Sequence, residues 1–138
     1  MTGAGATSRH TGGNPGSGPG AARTVVRLRG ALDVAGAPAL RERLIGLLHP
    51  GLRLLVLDLS RVPSCDAAGL AVLVGTQRRA RLLGIVVRLA APSLPVATLL
   101  SLTGLERNLA ICPDLSSALA AELPERAGAP SSAQAMTG

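Results

Sequence analysis

The sequence predicts an α/β fold: one domain on a mostly parallel sheet of four to five strands, with about four helices. Three observations predict it. Short Leu- and Val-rich runs of strand length alternate with segments of helical periodicity along the chain. Alternation of that kind means parallel strands joined by right-handed crossovers. The run Leu54–Leu59 is apolar except at Asp58, the pattern of a strand buried on both faces. And 138 residues are enough for one domain with a single core.

The elements follow in order. Thr24 to Arg29 places Val26 and Leu28 on one side and Arg27 and Arg29 on the other, a half-buried strand. Gly30 breaks it, and Leu32 to Val34 reads as a short second strand or edge. Pro38 sits in the first turn of a helix, where its missing N–H costs nothing. Ala37, Leu40, Leu44, Leu47 and Leu48 give that helix one apolar face, and Pro50-Gly51 ends it. Leu54 to Leu59 is the expected central strand. Pro63 breaks the loop after it. Asp66 stands as the N-cap of a helix that runs to about Leu83 and stops at Gly84. Ile85 to Leu89 is a further strand. A helix from Pro95 to Leu102 carries Val96, Leu99 and Leu100, with Gly104 past its end. Leu109 to Ile111 is a short strand, and Asp114 caps a last helix with Leu115, Ala118 and Leu119 inward.

The flanks differ in kind. Residues 1–22 are mainly Gly, Ser, Thr, Pro and Ala, and residues 124–138 are similar. Neither offers enough bulky apolar surface to offset the entropy of ordering, so both are expected to be disordered tails around a domain at 23–123. The N-terminus has no apolar h-region. No apolar run reaches the ~18 residues of a membrane span, because Arg88 interrupts the longest.

Composition narrows the function. The chain has no Phe, Tyr or Trp, so its core is aliphatic and a base-stacking platform is excluded. Every basic residue is Arg, which with the Ala, Gly, Pro and Leu bias reads as a high-GC, bacterial coding bias. The formal charge is +6, but the arginines are scattered among eight acids with no dense basic stripe, so nucleic acid is not an expected partner. Cys65 and Cys112 lie far apart without CxxC spacing and read as small buried hydrophobes of a reducing cytosol. His10 lies in the N-terminal tail and His49 at a helix end, where a partial positive charge suits the dipole. These residues form no metal or catalytic cluster. With no GxSxG elbow, P-loop or paired carboxylates, no enzyme, cofactor or metal is expected.

Two features of the helix after Asp66 stay open. Its first turns, Leu70 to Val74, are apolar nearly all round, which fits either deep burial or a face covered by a partner. Arg78, Arg79 and Arg81 are either a solvated face or the rim of a partner contact.

The stretch Leu54–Leu70 resembles the signature of STAS domains of the anti-sigma-factor antagonist family. There a strand and short loop lead into Asp-Ser-Ser-Gly-Leu and a helix, and the second serine is the phosphorylation switch. Here the motif is Asp66-Ala67-Ala68-Gly69-Leu70. Gly30-Ala31-Leu32-Asp33 with Ala37-Pro38, and Leu102-Thr103-Gly104-Leu105, extend the likeness over about Thr24 to Leu123. The resemblance implies a small cytoplasmic interaction module. Its partner would be an anti-sigma factor that is also its serine kinase. The implied contact surface is Asp33, Asp66, Ala67, Ala68, Gly69 and Leu70, with Ala68 in the phosphoacceptor position. An alanine cannot accept a phosphoryl group. Asp66 is left either as a cap alone or as a cap with an interface role. The competing readings are a STAS subunit of an ABC transporter or of a stressosome-like assembly, and, on fold analogy alone, a small-ligand-binding STAS domain.

Overall fold

A computed structural model describes residues 22–124. The tails expected at 1–22 and 124–138, with His10, lie outside the described residues apart from Ala22 and Pro124. Both of these are tied to the domain. The Ala22 carbonyl accepts the N–H groups of Arg53 and Leu54, and the Pro124 carbonyl accepts from Arg53 Nη2 at 2.8 Å.

The order is β1 (Arg23–Arg29), α1 (Ala37–Leu47), β2 (Leu54–Arg61), α2 (Ala67–Leu82), β3 (Val86–Ala90), α3 (Leu94–Thr103), a 3-10 turn (Leu105–Arg107), β4 (Ala110–Cys112) and α4 (Leu115–Ala120). The four strands are all parallel and lie in chain order, β1-β2-β3-β4. Every crossover therefore steps the same way along the sheet. Right-handed connections then place α1, α2 and α3 on one face, and α4 closes the other. β2 is an inner strand, as expected of the most apolar run.

Two cores follow from the strand period of two. Val26, Leu28, Leu55, Leu57, Leu59, Val87 and Leu89 point into the larger one, with Leu44, Leu70, Leu73, Val96 and Leu100 from the helices. Leu54, Val56 and Ala90 point the other way and meet Ala118, Leu115 and Leu119 of α4. Both faces of β2 are thus buried, which is why its sequence does not alternate.

The second strand expected at Leu32–Val34 is reduced to one bridge, Leu32 to Cys65. The Asp33 carbonyl accepts the N–H groups of Gly36 and Ala37, so the chain turns into α1 before a strand can extend. The sheet consequently has four strands. Gly104 ends α3 with φ 77°, the left-handed conformation that favours glycine. Asp114 caps α4 by accepting the Ser117 N–H at 2.7 Å. At the end of α1, His49 Nδ1 accepts the Gly51 N–H at 3.2 Å and closes the turn.

Arg88 is the main departure from the sequence reading. It sits mid-strand in β3, only 6% exposed. Its guanidinium donates to the carbonyls of Ala118, Ala121 and Glu122 at 2.8–3.1 Å. Arg23 donates to the Leu119 carbonyl at 2.8 Å. With Arg53 these side chains satisfy the carbonyls that a six-residue helix and its exit leave unpaired. The interruption of the apolar run at Arg88 is thus the latch that holds α4 on the sheet.

Candidate functional site

The loops after β1 and β2 meet at the carboxyl ends of these strands. Leu32 N–H donates to the Ser64 carbonyl and Asp66 N–H to the Leu32 carbonyl, each at 3.0 Å. Asp66 joins the two loops with its side chain. Its Oδ1 accepts the Gly69 N–H at 3.0 Å, capping α2, and its Oδ2 accepts the Val34 N–H at 3.1 Å. These backbone donors, Gly69 first, hold the Asp66 carboxyl below the usual carboxylate range. Asp66 is therefore more than a cap: it fixes the loop that carries Asp33. Asp33 Oδ1 in turn accepts the Gly36 N–H at 3.1 Å.

Gly69 is present for a steric reason. A Cβ there would run into the Leu32 carbonyl oxygen and lie 2.8 Å from Leu32 Cβ. Only glycine lets the first turn of α2 rest on the backbone of the neighbouring loop.

The structure divides the expected site residues. Asp66 and Ala67 are exposed, while Asp33 and Ala68 are half-buried. Gly69 is buried, and Leu70 is 6% exposed and part of the core. These last two seat the helix: Gly69 has no side chain, and that of Leu70 packs in the larger core. The apolar excess of Leu70–Val74 divides in the same manner: Leu70, Val72 and Leu73 are buried, Val74 is half-buried and Ala71 is exposed. Arg78, Arg79 and Arg81 are exposed.

Val34 was missed by the sequence reading. It is 69% exposed and stands beside Asp66, to which its N–H is bonded. The signal for it was a β-branched residue among Asp, Ala and Gly in a turn.

Little nucleophilic chemistry is available here. Cys65 is half-buried, and burial, with the Asp66 charge second, pushes its thiol up to about 11, so it stays protonated at neutral pH. Cys65 and Cys112 are both free. Among the described residues, no group of three His, Cys, Asp or Glu could hold a metal ion, and no helix is long and apolar enough to cross a membrane. What the site presents is exposed Val34 and Ala67 beside two carboxylates, on a hydrogen-bonded base. Such a surface suits protein contact.

Known proteins share this frame. A candidate anti-sigma factor antagonist from Thermotoga maritima is 26% identical, with TM-score 0.66, over 70% of this chain and 84% of that one. An anti-sigma factor antagonist from Mycobacterium paratuberculosis is 28% identical, with TM-score 0.61, over 70% and 82%. A sulfate transporter family protein from Wolinella succinogenes shares the fold at 22% identity and TM-score 0.60, over 70% and 80%. No curated protein matches the chain. The STAS domain pattern matches residues 17–118, most of the length. The chain belongs to the STAS domain family.

Proposed function

We propose that this protein is a non-enzymatic interaction module of bacterial transcription regulation, an anti-sigma-factor antagonist that lacks the usual phosphoacceptor serine. The supporting observation is the Asp66 surface. An Asp-capped helix is locked to the Asp33 loop, and the positions between them are solvent-facing or half-buried. The likeness to antagonists from two organisms, at 26% and 28% identity, supports the same reading.

In this reading a cytoplasmic anti-sigma factor of the serine-kinase type seats on Asp33, Val34, Asp66, Ala67 and Ala68, and its sigma factor is released. A phosphate at the first turn of α2 would add roughly −1.5 to −2 charges. Within the domain the helix N-terminus tolerates such a charge. In an interface it must be desolvated against a partner shaped for a bare side chain, and binding weakens. Ala67 and Ala68 carry no hydroxyl, so this surface cannot be switched off in that way.

The nearby hydroxyls do not replace it. Thr76 is buried and donates to the Val72 carbonyl at 2.8 Å. Ser64 is exposed but lies in the loop, ahead of the helix.

The test is affinity capture with the full chain from its native cell. A histidine-kinase-like anti-sigma factor is the expected partner; transporter subunits in its place would contradict the proposal. Incubation with the captured kinase and ATP should leave the chain unmodified. Stoichiometric phosphate mapped to Ser64 or Thr76 would show a displaced switch.

A further inference from the structure

β1 and β2 lose step near their carboxyl ends. Arg27 pairs with Asp58, and the next paired positions are Arg29 and Arg61. A two-residue step on β1 is thus matched by a three-residue step on β2, which is a β-bulge. Asp58 Oδ1 accepts the Ser60 N–H at 3.0 Å and holds it.

The bulge re-aims one side chain. Leu55, Leu57 and Leu59 all enter the larger core. In an unbroken strand position 61 would follow them inward. The bulge instead sets Arg61 opposite Arg29, both exposed, on the sheet face that carries Arg27. α4 packs on β2, β3 and β4 and leaves this corner open.

The charges there do not cancel. Arg27 Nε lies 3.7 Å from Asp58 Oδ2. Arg29 and Arg61 have neither a side-chain hydrogen bond nor an ion pair among the described residues. Like charges directly opposed across strands destabilise a sheet. Protection of an edge strand does not account for the pair, because Arg61 belongs to the inner strand β2.

We propose that Arg27, Arg29 and Arg61 form a second interaction surface, which docks a carboxylate-bearing segment of a partner protein. Guanidinium forks take carboxylates in bidentate pairs, and two adjacent forks suit an acidic segment. Nucleic acid would need a longer basic track and stacking side chains, and the chain has no aromatic residue. A lipid surface would need a group of apolar anchors. Of the exposed large apolar residues, Leu82, Leu83, Leu94 and Leu102 lie in or at the end of α2 and α3, on the other face of the sheet, which leaves only Val34 at this end of it. The surface goes beyond the antagonist reading, since it holds whichever protein meets Asp66.

Titration of the full ¹⁵N-labelled chain with a short oligoglutamate peptide at low salt tests it, with inorganic phosphate and a single-stranded DNA oligonucleotide titrated in parallel. The amide shifts should centre on residues 27–31 and 58–62. Arg29→Gln with Arg61→Gln should weaken peptide binding about tenfold, while Arg78→Gln with Arg79→Gln leaves it unchanged. The Arg29/Arg61 double variant should also melt roughly 1–4 °C higher, because the opposed charges are gone. Absence of binding, equal losses in both double variants, or tighter binding of DNA or phosphate than of peptide at this corner would overturn the proposal. So would a lower melting temperature in the Arg29/Arg61 variant, since it would show the pair to be held for the fold.

Discussion

Gly69→Ala isolates the contact on which the site is built. A methyl there would meet the Leu32 carbonyl oxygen, and would lie 2.8 Å from Leu32 Cβ and 2.9 Å from its carbonyl carbon. The obstacle is backbone, pinned on both sides by the Ser64 carbonyl and the Asp66 N–H, so it cannot swing aside. Overpacking costs about 1–3 kcal/mol, and a fixed obstacle puts this case at the upper end. Alanine recovers up to ~1 kcal/mol of helix propensity. The net loss is ~2 kcal/mol, or roughly 10 °C in melting temperature for a domain of this size. Gly75→Ala is the internal control. It lies in the same helix with nothing within 4 Å of its added Cβ, so it should be neutral or stabilising by up to ~1 kcal/mol. Urea unfolding followed by far-ultraviolet circular dichroism is the assay, since the chain has no aromatic side chain to report. A Gly69→Ala variant as stable as the wild type, or one less damaged than Gly75→Ala, would refute the close approach of α2 to the Leu32 loop.

Other substitutions probe the rest of the framework. Leu57→Ala opens a cavity in the inner strand β2, where Leu57 is fully buried, and should cost roughly 2–5 kcal/mol in the same assay; a loss under ~1 kcal/mol would contradict its central place. Arg88→Leu strips the donors from three carbonyls around α4 and should cost roughly 2–4 kcal/mol, with hydrogen exchange of residues 115–123 rising first; unchanged protection there would remove the latch from the account. Backbone donors lower the carboxyls of both Asp66 and Asp114 from the ordinary 3.8, so the stabilisation they give is complete above that value and is lost as pH falls through the lower folded values. The urea midpoint of the wild type should therefore fall more steeply below about pH 4 than that of Asp66→Asn with Asp114→Asn, and parallel profiles would mean that the caps carry no pH-dependent stability.

What the sequence revealed, and what it hid, follows from the range of the forces involved. The strands and the caps of α2 and α4 were legible because their causes are local: an apolar run, an Asp ahead of a helical period, a Gly after one. The parallel sheet was legible because strands alternating with helices need crossover connections, but the order of its strands was not, since right-handed crossovers permit several orders. The expected second strand at Leu32–Val34 failed because a turn bonded to the Asp33 carbonyl competes with extension within a few residues. Arg88 was seen only as an interruption, because its partners lie 30–34 residues away on backbone carbonyls, which no side-chain pattern marks. The bulge left one trace, Asp58 inside an apolar strand, but its effect on Arg61 needs the register of two strands. In the site, Asp66 was found from its cap, while its bond to Val34 spans 32 residues and was invisible. Leu70 entered the contact set from its motif alone, while the apolar run it begins left burial or a covered face open; the structure buries it in the core.

The central claim is that a partner seats on the alanines of the α2 N-terminus. Isothermal titration of the captured anti-sigma factor with the wild type, Ala68→Ser, Ala68→Glu and Ala67→Glu tests it most directly. A carboxylate in a first helical turn is favoured by roughly 0.3–1 kcal/mol, and Ala67 is exposed, so Ala67→Glu should fold as the wild type does even if the half-buried Ala68 resists the change. Ala68→Ser should bind as the wild type does and regain phosphorylation by the partner kinase. Both Glu variants should lose ~2 kcal/mol of binding, about thirtyfold, through a charge desolvated in the interface. Wild-type affinity in a folded Ala67→Glu protein would place the partner elsewhere on the domain and contradict the claim.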